Sequence, residues 1–131
     1  MNADDVLKRY KDEDLPDFVG IDLSDVNQAG IFGDAPIHVA AIRGRTDEIT
    51  ALLDGGADAN ASGELGNTPL HEAVMQNRIE AVKLLLDRGA DPTLKNQLGL
   101  TAIDFAQRAD RKDAAEMLSF VIRSRRPKGK W

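Results

Sequence analysis

Cysteine is absent from this 131-residue chain, which excludes a disulfide framework, a thiolate nucleophile and the paired spacing of a zinc ribbon. The redox compartment stays open on that ground, although a cytoplasmic setting suits it. Long apolar runs are missing too: the longest span about four residues, as at Val39–Ile42, far short of a membrane span. The acidic start, Met1-Asn2-Ala3-Asp4-Asp5, leads into no apolar stretch of signal-peptide length, so export by that route is not expected. Phosphate-cradling glycine loops and nucleophile-elbow serines are also lacking, and Gly55-Gly56 is better read as the end of a helix. Only two histidines occur, His38 and His71.

What the chain does contain is clearest from Thr68 to Thr93. Thr68 has a hydroxyl that can cap a helix, Pro69 suits the first helical position, and Leu70, Ala73 and Val74 form one short apolar face. Asn77 tolerates the left-handed turn that reverses the chain. Ile79, Val82, Leu85 and Leu86 then recur at helical spacing until Gly89 stops the second helix. Two helices this short bury too little to stand alone, so the unit needs neighbours of its own kind.

Those neighbours lie in register at 33 residues. Backward, Pro69, His71, Ala73, Leu85, Gly89, Ala90 and Asp91 fall on Pro36, His38, Ala40, Leu52, Gly56, Ala57 and Asp58. Forward, Gly66, Thr68, Leu70, Ala73 and Leu85 fall on Gly99, Thr101, Ile103, Ala106 and Leu118. The period, the T-P-L-H-x-A core at Thr68–Ala73 and the G-A-D-x-N close at Gly56–Asn60 together resemble the ankyrin repeat family, over roughly residues 25–122. The resemblance implies an all-α solenoid of stacked helix-turn-helix units with projecting β-turn fingers. About three repeats and an N-terminal capping helix are expected.

The expected divisions are a helical cap at 1–27, repeats at 28–61 and 62–94, a capping repeat at 95–122 and a basic, disordered tail at 123–131. In the cap, Val6, Leu7 and Tyr10 share a helical face near Asp4–Lys11, while Leu15, Phe18, Val19 and Ile21 are expected to cover the apolar end of the stack. Asp25, Val26 and Asn27 precede Asp58, Ala59 and Asn60 by one period, so the cap reads as a degenerate half-repeat. In the first repeat, helices are expected at 36–43 and 47–54. Ala35 takes the slot of Thr68 without its hydroxyl, so that start is expected to be the weaker one. In the last, Ala102 and Asp104 replace proline and histidine, and Lys112 and Ser119 replace Ile79 and Leu86, as an uncovered end requires.

Charge divides the chain. All 22 acidic residues and 12 of the 17 basic ones lie in residues 1–122, leaving that body near −10. The tail holds the other five, Arg123, Arg125, Arg126, Lys128 and Lys130, with Trp131. An acidic body favours a basic protein surface over nucleic acid, which could be contacted only through the tail.

Candidate chemistry is sparse. The histidines occupy one slot of adjacent repeats, roughly 8–10 Å apart, too far to share a metal bonded near 2 Å. The family resemblance makes each a staple between turns. No cofactor, metal or small-molecule substrate is implied. A catalytic use of groove carboxylates would need a strongly shifted pKa.

The resemblance places binding on the concave face, so the positions carried over are Ile31, Phe32 and Asp34; Glu64, Leu65 and Asn67; and Gln97, Leu98 and Leu100 from the fingers. The first helices add Ile42, Arg43, Glu72, Met75, Gln76 and Arg108. Phe32, Leu65 and Leu98 fill one slot in all three fingers, and two readings stay open: mutual packing that stiffens the fingers, or the apolar centre of an interface edged by Asp34, Glu64, Glu72 and Arg43. The expected function is a non-catalytic module, monomeric when free, that captures another, basic protein. It would act as an adaptor or as an occluding inhibitor, in the manner of the small acidic ankyrin immunity proteins it resembles, which neutralise a cognate toxin.

Overall fold

The computed structural model describes residues 1–125, among which there are seven α-helices and no strand. They are α1 (Ala3–Asp12), α2 (Pro36–Arg43), α3 (Thr46–Asp54), α4 (Pro69–Met75), α5 (Ile79–Asp87), α6 (Ala102–Arg108) and α7 (Lys112–Ser124). Helices α2, α4 and α6 pack side by side as an inner row, and α1, α3, α5 and α7 as an outer row. Within each repeat the two rows pack on each other, α2 on α3, α4 on α5 and α6 on α7. The core is therefore continuous along the stack. Leu52, Leu85 and Leu118, one period apart, are each fully buried, as are Ala40 and Ala73 where the inner helices meet.

Helix starts follow the side chains available to their free amides. Asn2 and Asp5 form a reciprocal capping box on α1 at 3.0 and 2.9 Å. Thr68 and Thr101 each accept the third amide of their helix at 3.3 Å. Ala35 has no such acceptor, yet its own N–H donates to His38 Nδ1 at 3.0 Å, the bond Thr68 N makes to His71 Nδ1 at 3.0 Å. Half the cap thus survives the loss of the hydroxyl.

The same bond fixes each ring's tautomer. With Nδ1 accepting, Nε2–H donates forward: from His38 to Ala61 O at 2.9 Å, and from His71 to Leu100 O at 2.9 Å. Asp104, in the third slot, accepts from Thr101 N at 2.9 Å but has no donor to send forward. Among the described residues no helix packs beyond α6 and α7 to receive one. Burial holds the His71 pKa below the ordinary imidazole value, with its bond to Leu100 working against that. An unfolded chain takes up this proton first as pH falls, so the histidine's contribution is complete above about pH 6.5 and is lost on acidification. NMR titration of the His71 ring is expected to give a pKa below that of a histidine peptide; a value at or above the peptide's contradicts the buried neutral staple.

The cap departs from expectation in detail. Helix α1 stands in the outer row against α3, without an inner partner. A short turn at Pro16–Phe18 follows it, and the Phe18 ring stacks on Tyr10 with centroids 6.2 Å apart. Val19 is half exposed and does not cover the core; Leu23, 1% exposed, does so instead. A second run of ties joins the helix-exit loops. Asn27 Nδ2 donates to Gly56 O and Asn27 Oδ1 accepts from Asp58 N, at 3.0 and 2.8 Å. Asn60 repeats both bonds with Gly89 and Asp91.

At the other end α7 extends to Ser124, so 123–124 belong to a helix and not to a disordered tail. Arg125 turns back and donates to Leu86 O in the last turn of α5 and to Ala90 O in the loop that follows, each at 2.8 Å, placing a cation at the C-terminal end of that helix. The remainder of the expected tail, 126–131, lies outside the described residues.

Candidate functional site: the finger face

Each finger is a five-residue loop closed by one backbone bond, and the three closures repeat at the 33-residue period. Gly30 N donates to Asp34 O at 2.8 Å, Gly63 N to Asn67 O at 2.8 Å, and Asn96 N to Leu100 O at 2.9 Å. Gly33, Gly66 and Gly99 turn each tip at φ of +97°, +74° and +77°. A Cβ on Gly63 would fall 2.2 Å from Asp34 Oδ1, so close approach of the preceding finger also requires glycine there.

Polar bonds tie the fingers to one another. Asp34 Oδ1 accepts from Glu64 N at 2.8 Å, and Gln97 N donates to Leu65 O at 3.0 Å. Asn96 Nδ2 donates to Asn67 Oδ1 at 2.9 Å, while Asn96 Oδ1 accepts from Leu98 N and Leu100 N at 2.9 and 3.0 Å. Asn67 Nδ2 donates in turn to Glu72 Oε1 at 2.8 Å. The loops are thus stiffened through backbone and amide groups. Phe32, Leu65 and Leu98 remain 51%, 56% and 71% exposed, so mutual packing of these side chains is not what holds the fingers.

These ties correct part of the expected edge. Asp34 is only 4% exposed and Asn67 only 9%, and both are committed to the finger ties described above. Arg43 is also engaged: its guanidinium lies over the Tyr10 ring, 5.5 Å from the centroid, and pairs with Glu13 at 3.0 Å. Leu100 is half-buried against the core, and Ile42 at the end of α2 is half-buried. The carried-over side chains that are exposed are Ile31, Phe32, Glu64, Leu65, Gln97 and Leu98 on the fingers and Met75, Gln76 and Arg108 at helix ends, while Glu72 is half-buried. Arg78 donates to Ile42 O and Arg111 to Met75 O, each at 3.0 Å, closing the inner helices one period apart.

Two contributors escape a reading by slots. Asn96 holds the third finger from the position of Gly30 and Gly63, and the 33-residue register could have pointed to it. Asp17, whose carbonyl accepts from Ile31 N at 2.9 Å, comes from the irregular cap, where no register exists.

The electrostatics of the face are acidic. Burial pushes the Glu72 carboxyl up, with Asp34 and Glu64 adding repulsion and Asn67 opposing it. Burial raises Asp17 likewise, helped by Asp34. The side-chain partner of Glu72 is an amide, which neither gives nor takes a proton, so the shift reflects an uncompensated charge more than an acid–base pair. Among the described residues no group of three or more His, Cys, Asp or Glu could hold a metal. A cleft of about 760 Å³ lies between α3 and α5; Asp47, Asp54, Glu80 and Asp87 line it, with no large exposed apolar side chain except Met1.

No helix among the described residues is long and apolar enough to cross a membrane. No curated protein matches the chain. The sequence profile described as Ankyrin repeats (3 copies) matches residues 6–96, taking in most of α1 and all of α2 to α5 and ending before α6, where Ala102 and Asp104 mark the departures of the last repeat. Repeats of this kind are generally protein–protein interaction modules. With well over half its length matched and its helix pairs stacked in two rows, the chain belongs to the ankyrin repeat family.

Proposed function

We propose that the protein is a non-catalytic binding module, monomeric when free, whose acidic finger face captures a basic protein and blocks it by occlusion, as an immunity protein blocks a toxin. One observation carries this reading. Three apolar side chains at equivalent finger positions stay more than half exposed on loops that polar bonds already hold rigid. Rigid loops bind at lower entropic cost, because little order remains to be imposed on association. Three fingers and the adjoining helix ends could contribute about 800 Å² per partner, the usual share of a specific interface. Glu64 and Glu72 border the row, and a negative face steers a positive partner towards it.

The test is the double variant Phe32→Ser with Leu65→Ser, used as bait for the protein captured by the wild type from the native source. Far-UV circular dichroism is expected to stay native while capture falls at least about tenfold, the loss expected when central anchors are truncated. Native folding with undiminished capture would show that binding lies elsewhere.

A further inference from the structure

Three residues around the fingers break the 33-residue register, and one chain of hydrogen bonds joins them. Glu72 stands in the slot that Val39 and Phe105 fill with buried apolar side chains, Asn67 in the slot of Asp34 and Leu100, and Asn96 in the slot of Gly30 and Gly63. At the first joint Asp34 Oδ1 accepts directly from Glu64 N, the backbone of the next finger. At the second joint that slot works through side chains instead. Asn96 Nδ2 donates to Asn67 Oδ1 at 2.9 Å, and Asn67 Nδ2 to Glu72 Oε1 at 2.8 Å.

A side-chain amide has one accepting and one donating end, so its neighbours decide which way it faces. As a carboxylate, Glu72 can only accept. Asn67 must therefore turn Nδ2 towards it and Oδ1 away. Asn96 must then meet that oxygen with its own Nδ2, which leaves Asn96 Oδ1 facing the backbone of its own finger. There it accepts from Leu98 N and Leu100 N, at 2.9 and 3.0 Å. Reversed, the same amide would set its NH2 group against two N–H donors, and both bonds would be lost. Asn67 and Asn96 are 9% and 8% exposed, so water is a poor substitute for a mismatched partner.

We propose that Glu72 is the positioning residue of the third finger: acting through two amides in turn, it fixes the loop that carries Leu98. Leu98 is the most exposed of the three apolar tip residues, so the order of this loop decides how it is offered to a partner. That last step rests on the reading of the fingers as the binding face.

The test moves the accepting group along the chain of bonds. Amide hydrogen exchange of the full-length protein, read by NMR, reports on Leu98 and Leu100 directly. Glu72→Met suits the apolar slot and is expected to keep native far-UV circular dichroism while both amides exchange about fivefold faster, the scale of one net hydrogen bond. Glu72→Gln still offers an oxygen to Asn67 and is expected to exchange like wild type. Adding Asn67→Asp to Glu72→Met is expected to restore protection, because a carboxylate at position 67 can again only accept and turns Asn96 the same way. Unchanged exchange in Glu72→Met, or a loss that Asn67→Asp does not repair, overturns the proposal. Exchange needs no partner, so this outcome is separate from that of the binding reading. Glu72→Gln and Glu72→Met carry the same charge, and weaker capture of the native partner by the second is expected. Equal capture overturns the link to binding and leaves the construction of the finger standing.

Discussion

Leu85→Ala is expected to lower the free energy of unfolding by about 2–5 kcal/mol, a large part of the 5–15 kcal/mol that holds a typical domain folded. The residue is fully buried on α5, with α3 on one side and α7 on the other, so the cavity it leaves has rigid walls. Urea denaturation followed by circular dichroism measures the change directly. Leu118→Ala is the proper comparison. Leu118 is equally buried and occupies the same slot one period on, but its helix is the last of the described stack, with Ala115 and Ser119 half-buried beside it. Collapse around the gap is easier there, and a smaller loss is expected. Equal losses would mean that the stack does not distinguish its centre from its end.

Glu48→Ala is expected to cost about 1–3 kcal/mol, the range for leaving one buried hydrogen-bonding group, here the Tyr10 hydroxyl, without its partner, since Arg9 is partly exposed and can turn to water. Glu48 is fully buried on α3, where Tyr10 OH donates to Oε1 and Arg9 pairs with Oε2, each at 2.7 Å. Arg45 adds a weaker contact at 3.9 Å. Burial and the Glu48 charge push the Tyr10 hydroxyl far above its ordinary pKa, so it remains a donor at all ordinary pH. Without the carboxylate, Tyr10 loses its acceptor and Arg9 its counter-ion, and α1 loses the polar part of its hold on the stack. Hydrogen exchange should show the α1 amides opening first, with α4 to α6 still protected. Glu48→Gln keeps one acceptor for Tyr10 and should cost less. A Glu48→Ala protein as stable as wild type would show that the apolar contacts of Val6, Leu7 and Phe18 suffice for the cap.

The helix pairs were legible because their signals are local. Thr68, Pro69 and Asn77, and the spacing of Val82, Leu85 and Leu86, say where helices begin, turn and bury. Equal steps of 33 residues then turn one unit into a stack. The cap was less legible, for it obeys no register: Leu23 in place of Val19, and Glu48 reaching α1 across almost 40 residues, depend on how an irregular segment folds back. The end of α7 was misjudged because composition sees five basic residues in a short span. It does not see that Arg125 finds carbonyls at the end of α5 and in the loop after it.

For the fingers, sequence alone determined which positions project, since the glycine that permits each turn recurs with the period. It could not divide those positions into working and supporting ones. Asp34 and Phe32 stand two residues apart in the chain, yet one is buried as a tie to the next finger and the other is half exposed. That difference arises only when neighbouring repeats come together, because hydrogen bonds between fingers depend on distances that a one-dimensional pattern does not contain.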